Sequence, residues 1–117
     1  MRKIYYLSTC DTCRRIIDTL YGLPGFVFQD IRQENIGPED LDRIAGQVGS
    51  YEALFSRRAR KYRSMGLGEQ DLSEDDYRRL ILDEYTFLKR PVLVIDDQVF
   101  VGNARKTVEA ARNALNP

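Results

Sequence analysis

The first third of the chain reads as a strand, a helix and a second strand, and this order constrains the fold more than any other feature. Lys3 to Ser8 is rich in aromatic and branched residues, which predicts a buried strand. From Asp11 to Tyr21 apolar side chains recur at helical spacing, and Gly22 and Pro24 are expected to end that helix. Phe26 to Ile31 predicts the second strand. The helix is long enough for a right-handed crossover, so the two strands are expected to be parallel.

The middle of the chain is predicted to be helical. A helix opens at Gly37-Pro38 and ends at Gly49, and residues 50–64 look helical but broken, with a concentration of basic side chains. Ser73 followed by Asp76 indicates the start of a further helix, which continues to Glu84.

The last part of the chain is predicted to be a hairpin and a helix. Val92 to Ile95 and Val99 to Val101 are strands joined by an Asp96-Asp97 turn, and a helix follows Gly102-Asn103. The complete pattern is α/β: βαβ, a helical insert, then ββα around a mixed four-stranded sheet. Helices are expected on both faces, because the strands at 3–8 and 92–95 are apolar without alternation.

Length and charge limit the class of protein. The 117 residues suit a single domain, and 18 basic residues balance 18 acidic ones. This zero net charge argues against direct nucleic-acid binding. No apolar stretch is long enough for a membrane helix or a signal peptide, so a cytoplasmic protein is expected.

The only two cysteines, Cys10 and Cys13, lie where the first strand gives way to the first helix. Residues three apart share one face of a helix, so the two sulfurs can approach each other. Free N–H groups at the helix start favour a thiolate at Cys10, and Arg14 and Arg15 would add to this effect. Cys13 is expected to be less exposed. This arrangement predicts Cys10 as the attacking nucleophile and Cys13 as the resolving thiol.

The two cysteines allow two other interpretations. A zinc site needs further ligands, and the sequence has no other cysteine and no histidine, so no metal site is expected. Alternatively, both cysteines are packing residues, because free cysteine is often simply buried.

Proline and arginine supply the other candidate site residues. Pro91 opens a strand after a basic residue, which is compatible with a cis turn. Arginines that clamp an oxyanion or a glutathione carboxylate would use paired hydrogen bonds. Arg90, beside Pro91, is the stronger candidate; the cluster from Arg57 to Arg63 is more typical of a solvated basic face.

These motifs, taken in order, resemble the arsenate reductase (ArsC)/Spx family. The resemblance is carried by Cys10-x-x-Cys13-Arg14, by an arginine in Leu54-Phe55-Ser56-Arg57-Arg58, by Leu88-Lys89-Arg90-Pro91, and by Val101-Gly102. It implies a thioredoxin-like fold over residues 1–117, as a single domain with a helical insert at about 35–87.

The resemblance also implies roles for particular residues. Cys10 matches the catalytic cysteine that attacks arsenate, Arg90 matches an oxyanion ligand, and Pro91 matches the family's cis-proline. Arg58 matches a mid-chain anion-binding arginine, although Arg57 is one position away and the choice between them stays open. The substrate would be a small oxyanion or a thiol or disulfide. No cofactor is implied; glutathione, glutaredoxin or thioredoxin would be the reductant, the last two as redox protein partners.

Two positions depart from the glutathione-linked arsenate reductases. Those enzymes have a serine where this chain has Cys13, and a further arginine where it has Gly102-Asn103-Ala104. The C-x-x-C form is shared with Spx-type regulators, which bind the RNA polymerase α subunit and use the cysteine pair as a redox switch. Gly49 stands where those regulators need a glycine for that contact. A thiol–disulfide oxidoreductase is therefore the leading expectation, and an Spx-like regulator is the alternative.

Overall fold

The structure is a computed structural model that describes residues 2–20 and 25–115. Tyr21, Gly22 and Pro24, predicted as the end of the first helix, lie outside the described residues. The described strands are β1 (Arg2–Tyr6), β2 (Val27–Asp30), β3 (Val92–Ile95) and β4 (Gln98–Val101). The described α-helices are α1 (Asp11–Thr19), α2 (Pro38–Val48), α3 (Arg60–Ser64), α4 (Glu74–Asp83) and α5 (Arg105–Leu115). Short 3-10 helices cover Glu52–Leu54, Leu67–Glu69 and Tyr85–Phe87.

The four strands form one mixed sheet in the order β2-β1-β3-β4. β1 pairs in parallel with β2, and Ile4 lies opposite Phe28. β1 pairs antiparallel with β3, and β3 pairs antiparallel with β4. The β3–β4 turn is Asp96-Asp97, and Asp96 has a positive φ of 58°, as a tight two-residue hairpin loop requires. The predicted mixed four-stranded sheet and its connections are therefore confirmed.

The chain divides into two compact units. The first contains residues 1–34 and 90–117, and so holds all four strands together with α1 and α5. The second contains residues 35–89 and is made of α2, α3, α4 and the three 3-10 helices.

The first unit has an apolar core between its sheet and the helices α1 and α5. Ile4, Leu93 and Ile95 share one face of the sheet and pack with side chains from both helices. Apolar residues on α1 recur at helical spacing, which gives the helix one buried stripe. Near the end of α1, Arg112 of α5 donates to the carbonyl of Thr19 at 3.1 Å. On the opposite face of the sheet Tyr5, Val92 and Val94 are also buried.

The second unit is organised around Phe55. Its ring stacks on Phe87 with centroids 5.0 Å apart, and it meets Tyr77 at 4.9 Å and Tyr62 at 6.0 Å. Aromatic pairs at such distances stabilise a core beyond the area they bury. Buried aliphatic side chains from α2 and α4 belong to the same unit: Leu41, Ile44, Leu80 and Ile81.

Hydrogen bonds fix the ends of the helices in the second unit. The Ser73 hydroxyl accepts from the Asp76 N–H, and the Asp76 carboxylate accepts from the Ser73 N–H, so the predicted start of α4 is confirmed as a capping box. At the other end, Asn35 donates its amide N–H to the carbonyls of Ile81 (2.9 Å) and Leu82 (3.2 Å). These carbonyls would otherwise lack a helical partner.

Some element boundaries differ from the sequence prediction. β1 ends at Tyr6 rather than Ser8, because the chain turns and the Cys10 N–H bonds to the Leu7 carbonyl at 3.0 Å. α4 ends at Asp83, and Glu84 instead accepts from the Thr86 N–H at the start of a 3-10 helix. Among the described residues, no helix combines the length and apolar character needed to cross a bilayer.

Candidate functional site

Cys10 sits at the junction between β1 and α1. It is the N-cap of α1, with an extended backbone (φ −95°, ψ 109°), and its side chain is partly exposed. Its N–H closes the turn onto Leu7, and its carbonyl accepts from the Arg14 N–H at 3.2 Å. The thiol is therefore held beside the unpaired N–H groups of the first helical turn.

A carboxylate on the neighbouring strand holds this turn. Asp30, the last residue of β2, accepts from the Ser8 N–H at 3.4 Å and from the Arg32 N–H at 3.2 Å. A hydrogen bond from the Ser8 side chain, with the two backbone N–H groups, keeps the pKa of Asp30 below its ordinary value. Asp30 is not among the site residues predicted from the sequence. The available signal was an aspartate at the end of a strand parallel to β1, since the ends of parallel neighbours meet at one edge of a sheet.

The environment of Cys10 favours its thiolate. Burial by itself would raise its pKa, but the Cys13 N–H, the Cys13 thiol, the Thr12 N–H and the positive charge of Arg90 together lower the pKa below its ordinary value of 9.0. Donors and positive charges stabilise a thiolate in this way.

The environment of Cys13, in contrast, favours its protonated thiol. It lies one helical turn later and is fully buried, as expected from the sequence. Burial is the largest cause that raises the pKa of Cys13 to about 11, and the contact with Cys10 also raises it. A hydrogen bond involving the Leu7 backbone and the charge of Arg90 lower the pKa, but they do not outweigh burial. Both cysteines are free thiols. The pair thus consists of one activated, partly exposed sulfur and one buried, protonated sulfur within hydrogen-bonding contact.

Arg90 and Pro91 belong to the same unit as the cysteines. The peptide bond between them is cis, as the family resemblance implies. Pro91 is buried, and its carbonyl accepts from the Gly102 N–H at 2.9 Å at the end of the β3–β4 hairpin. Arg90 is partly buried, and its charge acts on both thiols. This guanidinium therefore reaches the site from a distant part of the sequence.

Arg14 is exposed on α1, directly after Cys13. Its backbone N–H bonds to the Cys10 carbonyl, as the regular helix requires. The positive charge of Arg90 is among the causes that lower the pKa of Cys10.

The mid-chain arginines belong to the second unit and differ in their contacts. Arg57 donates to the Glu52 carboxylate at 2.7 Å and to the Tyr77 hydroxyl at 3.1 Å. Its guanidinium also lies 5.9 Å from the centre of the Tyr77 ring. Among the described residues, the guanidinium of Arg58 has no such partner. Arg58 lines an open groove of about 790 Å³.

The chemistry open to the cysteine site is nucleophilic attack by a thiolate, followed by capture by a second thiol. The described residues contain no group of three or more histidine, cysteine, aspartate or glutamate side chains placed to hold a metal ion. The donors around Cys10 are N–H groups and a guanidinium, which suit an anion.

A protein-family model matches residues 5–111, and the family is ArsC. The chain belongs to the ArsC family. The match covers both cysteines, the mid-chain arginines and the Arg90-Pro91 bond. The sequence comparison with curated proteins gives no match.

Solved structures share the fold over almost the whole ArsC-family chain. The protein named YFFB is 25% identical, covers 98% of this chain and 99% of its own, and has a TM-score of 0.79. An arsenate reductase (ArsC) related protein from Brucella melitensis is 27% identical over 93% of this chain and 92% of its own, with a TM-score of 0.68. A possible arsenate reductase from Streptococcus mutans is 25% identical over 95% of this chain and 97% of its own, with a TM-score of 0.73. The predicted thioredoxin-like fold and family are thereby confirmed.

Proposed function

We propose that this ArsC-family protein is a thiol–disulfide oxidoreductase of the arsenate reductase type, with Cys10 as nucleophile and Cys13 as resolving thiol. The observation that carries the proposal is the hydrogen-bonded pair of free thiols with oppositely displaced pKa values. A lowered pKa makes Cys10 reactive near neutral pH, and a raised pKa keeps Cys13 protonated until an adduct has formed.

In the first step the Cys10 thiolate attacks the substrate. On a disulfide it bonds to one sulfur and releases the other as a thiolate. On arsenate it bonds to arsenic with loss of water. Cys13 has no part in this step as a nucleophile, because burial raises its pKa to about 11.

In the second step the Cys13 sulfur attacks the Cys10 sulfur and forms the internal disulfide. With a mixed disulfide, the bound thiol leaves and takes up the Cys13 proton. With an arsenic adduct, the electron pair of the sulfur–arsenic bond stays on arsenic, which is reduced from As(V) to As(III). Two thiols are oxidised for each substrate reduced.

The arginines would hold the anionic substrate. We assign this role to Arg90 because its charge acts on both thiols. Of the two mid-chain candidates we favour Arg58, since Arg57 is engaged by Glu52 and Tyr77. Arg14 is assigned a weaker electrostatic contribution, because it is exposed to solvent. The Arg90-Pro91 segment would present backbone groups to the bound partner.

The reaction as proposed requires no organic cofactor or metal. Electrons that reopen the Cys10–Cys13 disulfide would come from glutathione, glutaredoxin or thioredoxin. An oxyanion substrate is favoured by analogy, because the similar proteins from Brucella melitensis and Streptococcus mutans are named as arsenate reductase related and as a possible arsenate reductase.

The test combines thiol titration with turnover. Alkylation of Cys10 by iodoacetamide, followed against pH in Cys13→Ser, measures the pKa of Cys10. Turnover is measured on arsenate and on a model disulfide, with glutathione, glutaredoxin and thioredoxin supplied separately. We expect a pKa below the ordinary value and turnover that disappears in Cys10→Ser. An ordinary pKa with no turnover on either substrate would refute the proposal.

The second candidate is an Spx-like regulator that binds the RNA polymerase α subunit when the cysteine pair changes redox state. The observation that favours it is Gly49, which is exposed and has open space around its α-carbon where a partner backbone could approach closely. It predicts redox-dependent binding of purified α subunit with little turnover. The absence of binding in both redox states would exclude it.

A further inference from the structure

The second unit carries a basic groove, which we define by Arg58, Arg60, Tyr62, Arg63 and Glu69. Its volume is about 790 Å³, within the usual range for binding clefts. All five residues belong to residues 35–89, so the groove is a feature of that unit alone. The proposed redox chemistry gives Arg60 and Arg63 no role.

Three arginines of the basic groove have uncompensated charges. Within the described ranges 2–20 and 25–115, no ion pair or hydrogen bond engages the guanidinium groups of Arg58, Arg60 and Arg63. Other basic residues nearby are neutralised: Arg57 pairs with Glu52, and Lys61 pairs with Glu84. In a chain with equal numbers of acidic and basic residues, this leaves a locally positive surface.

The basic groove also has a polar and aromatic lining. The Tyr62 ring lies against Gly68, where an added Cβ would come within 3.4 Å of it. The small residues Ala59 and Gly66 also line the groove. Glu69 adds a carboxylate, which is an acceptor for N–H groups.

We propose that the basic groove binds an acidic peptide segment of a partner protein. Arg60 and Arg63, three residues apart on α3, would clamp its anionic side chains, with Arg58 at the rim. Glu69 would accept from the peptide's backbone N–H groups. A phosphodiester strand of DNA has no such donors along its backbone, and Glu69 would repel it. The anionic groups would be carboxylates or phosphoserines, which offer guanidinium groups the same paired acceptors.

The test is fluorescence anisotropy with labelled, end-blocked peptides and the whole protein. One peptide alternates glutamate with glycine, a second replaces glutamate with phosphoserine, and a third replaces it with lysine; an oligothymidylate is the nucleic-acid probe. We expect binding of one or both acidic peptides that weakens as salt rises, and no binding of the lysine peptide. Stronger binding of the glutamate or the phosphoserine peptide identifies the anionic group.

Variants locate the binding. In the double variant R60A/R63A we expect acidic-peptide affinity to fall about tenfold or more, because two charge-assisted contacts are lost. The matched control is Arg43→Ala, an exposed arginine already paired with Asp40, for which we expect little change. Cys10→Ser should bind as the wild-type protein does, since Arg60 and Arg63 have no part in the proposed thiol chemistry. The charge-reversed R60E/R63E should gain affinity for the lysine peptide.

Three results would overturn the proposal: no acidic-peptide binding at low salt, equal affinity in R60A/R63A, or tighter binding of oligothymidylate than of either acidic peptide. Circular dichroism and thermal midpoints establish that each variant is folded. If a double variant is unfolded, the single variants Arg60→Gln and Arg63→Gln replace it, with a smaller loss expected from each.

Discussion

The side chains of Cys10 and Cys13 influence each other's protonation: the Cys13 thiol lowers the pKa of Cys10, and Cys10 raises the pKa of Cys13. This interaction stabilises the Cys10 thiolate, and it adds to the burial that keeps Cys13 protonated. The same proximity allows the Cys13 sulfur to reach an adduct on Cys10. In the proposed reaction, activation of the nucleophile and later resolution of its adduct would therefore depend on one pairwise contact.

Cys13→Ala should raise the pKa of Cys10. Burial already opposes the Cys10 thiolate, and the variant removes one of the donors that outweigh burial. Below the pKa, the thiolate fraction falls as the pKa rises, so we expect several-fold slower alkylation by iodoacetamide at neutral pH. Cys13→Ser is the matched control, because its hydroxyl can still donate. Equal alkylation–pH profiles for the alanine and serine variants would show that the Cys13 thiol does not activate Cys10.

Arg90→Ala and Arg90→Lys should separate charge from hydrogen-bonding geometry. In Arg90→Ala the pKa of Cys10 should rise, because one of the groups that counteract burial is lost. In Arg90→Lys the positive charge remains, so the pKa of Cys10 should stay close to that of the wild-type protein. Both variants lose the guanidinium that we propose holds the anionic substrate through paired hydrogen bonds, so KM for that substrate should rise in both. The measurements are alkylation against pH and steady-state kinetics. The control is Arg105→Ala, which changes an exposed arginine of α5. The prediction would be contradicted if Arg90→Ala and Arg105→Ala gave the same dependence of alkylation on pH.

Alanine substitutions at Gly49 and at Gly46 should change the free energy of unfolding in opposite directions. Gly49 ends α2 with φ +105°, where a side chain is strained, so Gly49→Ala should lower the free energy of unfolding by about 1 kcal/mol. Gly46 lies inside α2 with open space around it, so Gly46→Ala should raise that free energy by about 0.5–1 kcal/mol. Urea unfolding measures both. Changes of the same sign would argue against the backbone explanation.

Asn35→Ala should lower the free energy of unfolding by about 1–3 kcal/mol, since it leaves the carbonyls of Ile81 and Leu82 and the Ile36 N–H without their side-chain partner. Asn35→Asp retains the acceptor for Ile36 but places a negative charge at the two carbonyls, so it should not restore stability. Asn103→Ala, at an exposed asparagine, is the control. Urea midpoints for Asn35→Ala and Asn103→Ala that agree would refute the prediction.

Features that depend on neighbours in the sequence were predictable. The Ser73–Asp76 capping box joins residues three apart, and the Asp96-Asp97 turn joins adjacent strands. The lower exposure of Cys13 was also expected, because Cys13 lies further into the helix than Cys10. In each case the residues involved are only a few positions apart, so the local sequence pattern is sufficient to predict the feature.

Features that depend on distant contacts were not predictable in the same way. The amide of Asn35 meets Ile81, 46 positions away, and Asp30 meets Ser8, 22 positions away. The charge of Arg90 acts on the thiol of Cys10 although the two residues lie near opposite ends of the chain. The resemblance matched Arg58 to the mid-chain arginine and left Arg57 open as the alternative, and the contacts of Arg57 with Glu52 and Tyr77 appear only in the tertiary structure.

The sequence by itself determined the order of strands and helices, the family, and the position of two thiols at the start of a helix. These depend on residue type and on spacing along the chain. The tertiary structure alone decided which charges and donors surround each thiol and which arginines are already neutralised. Such electrostatic effects depend on distances through space, and those distances are set only when separate segments pack together.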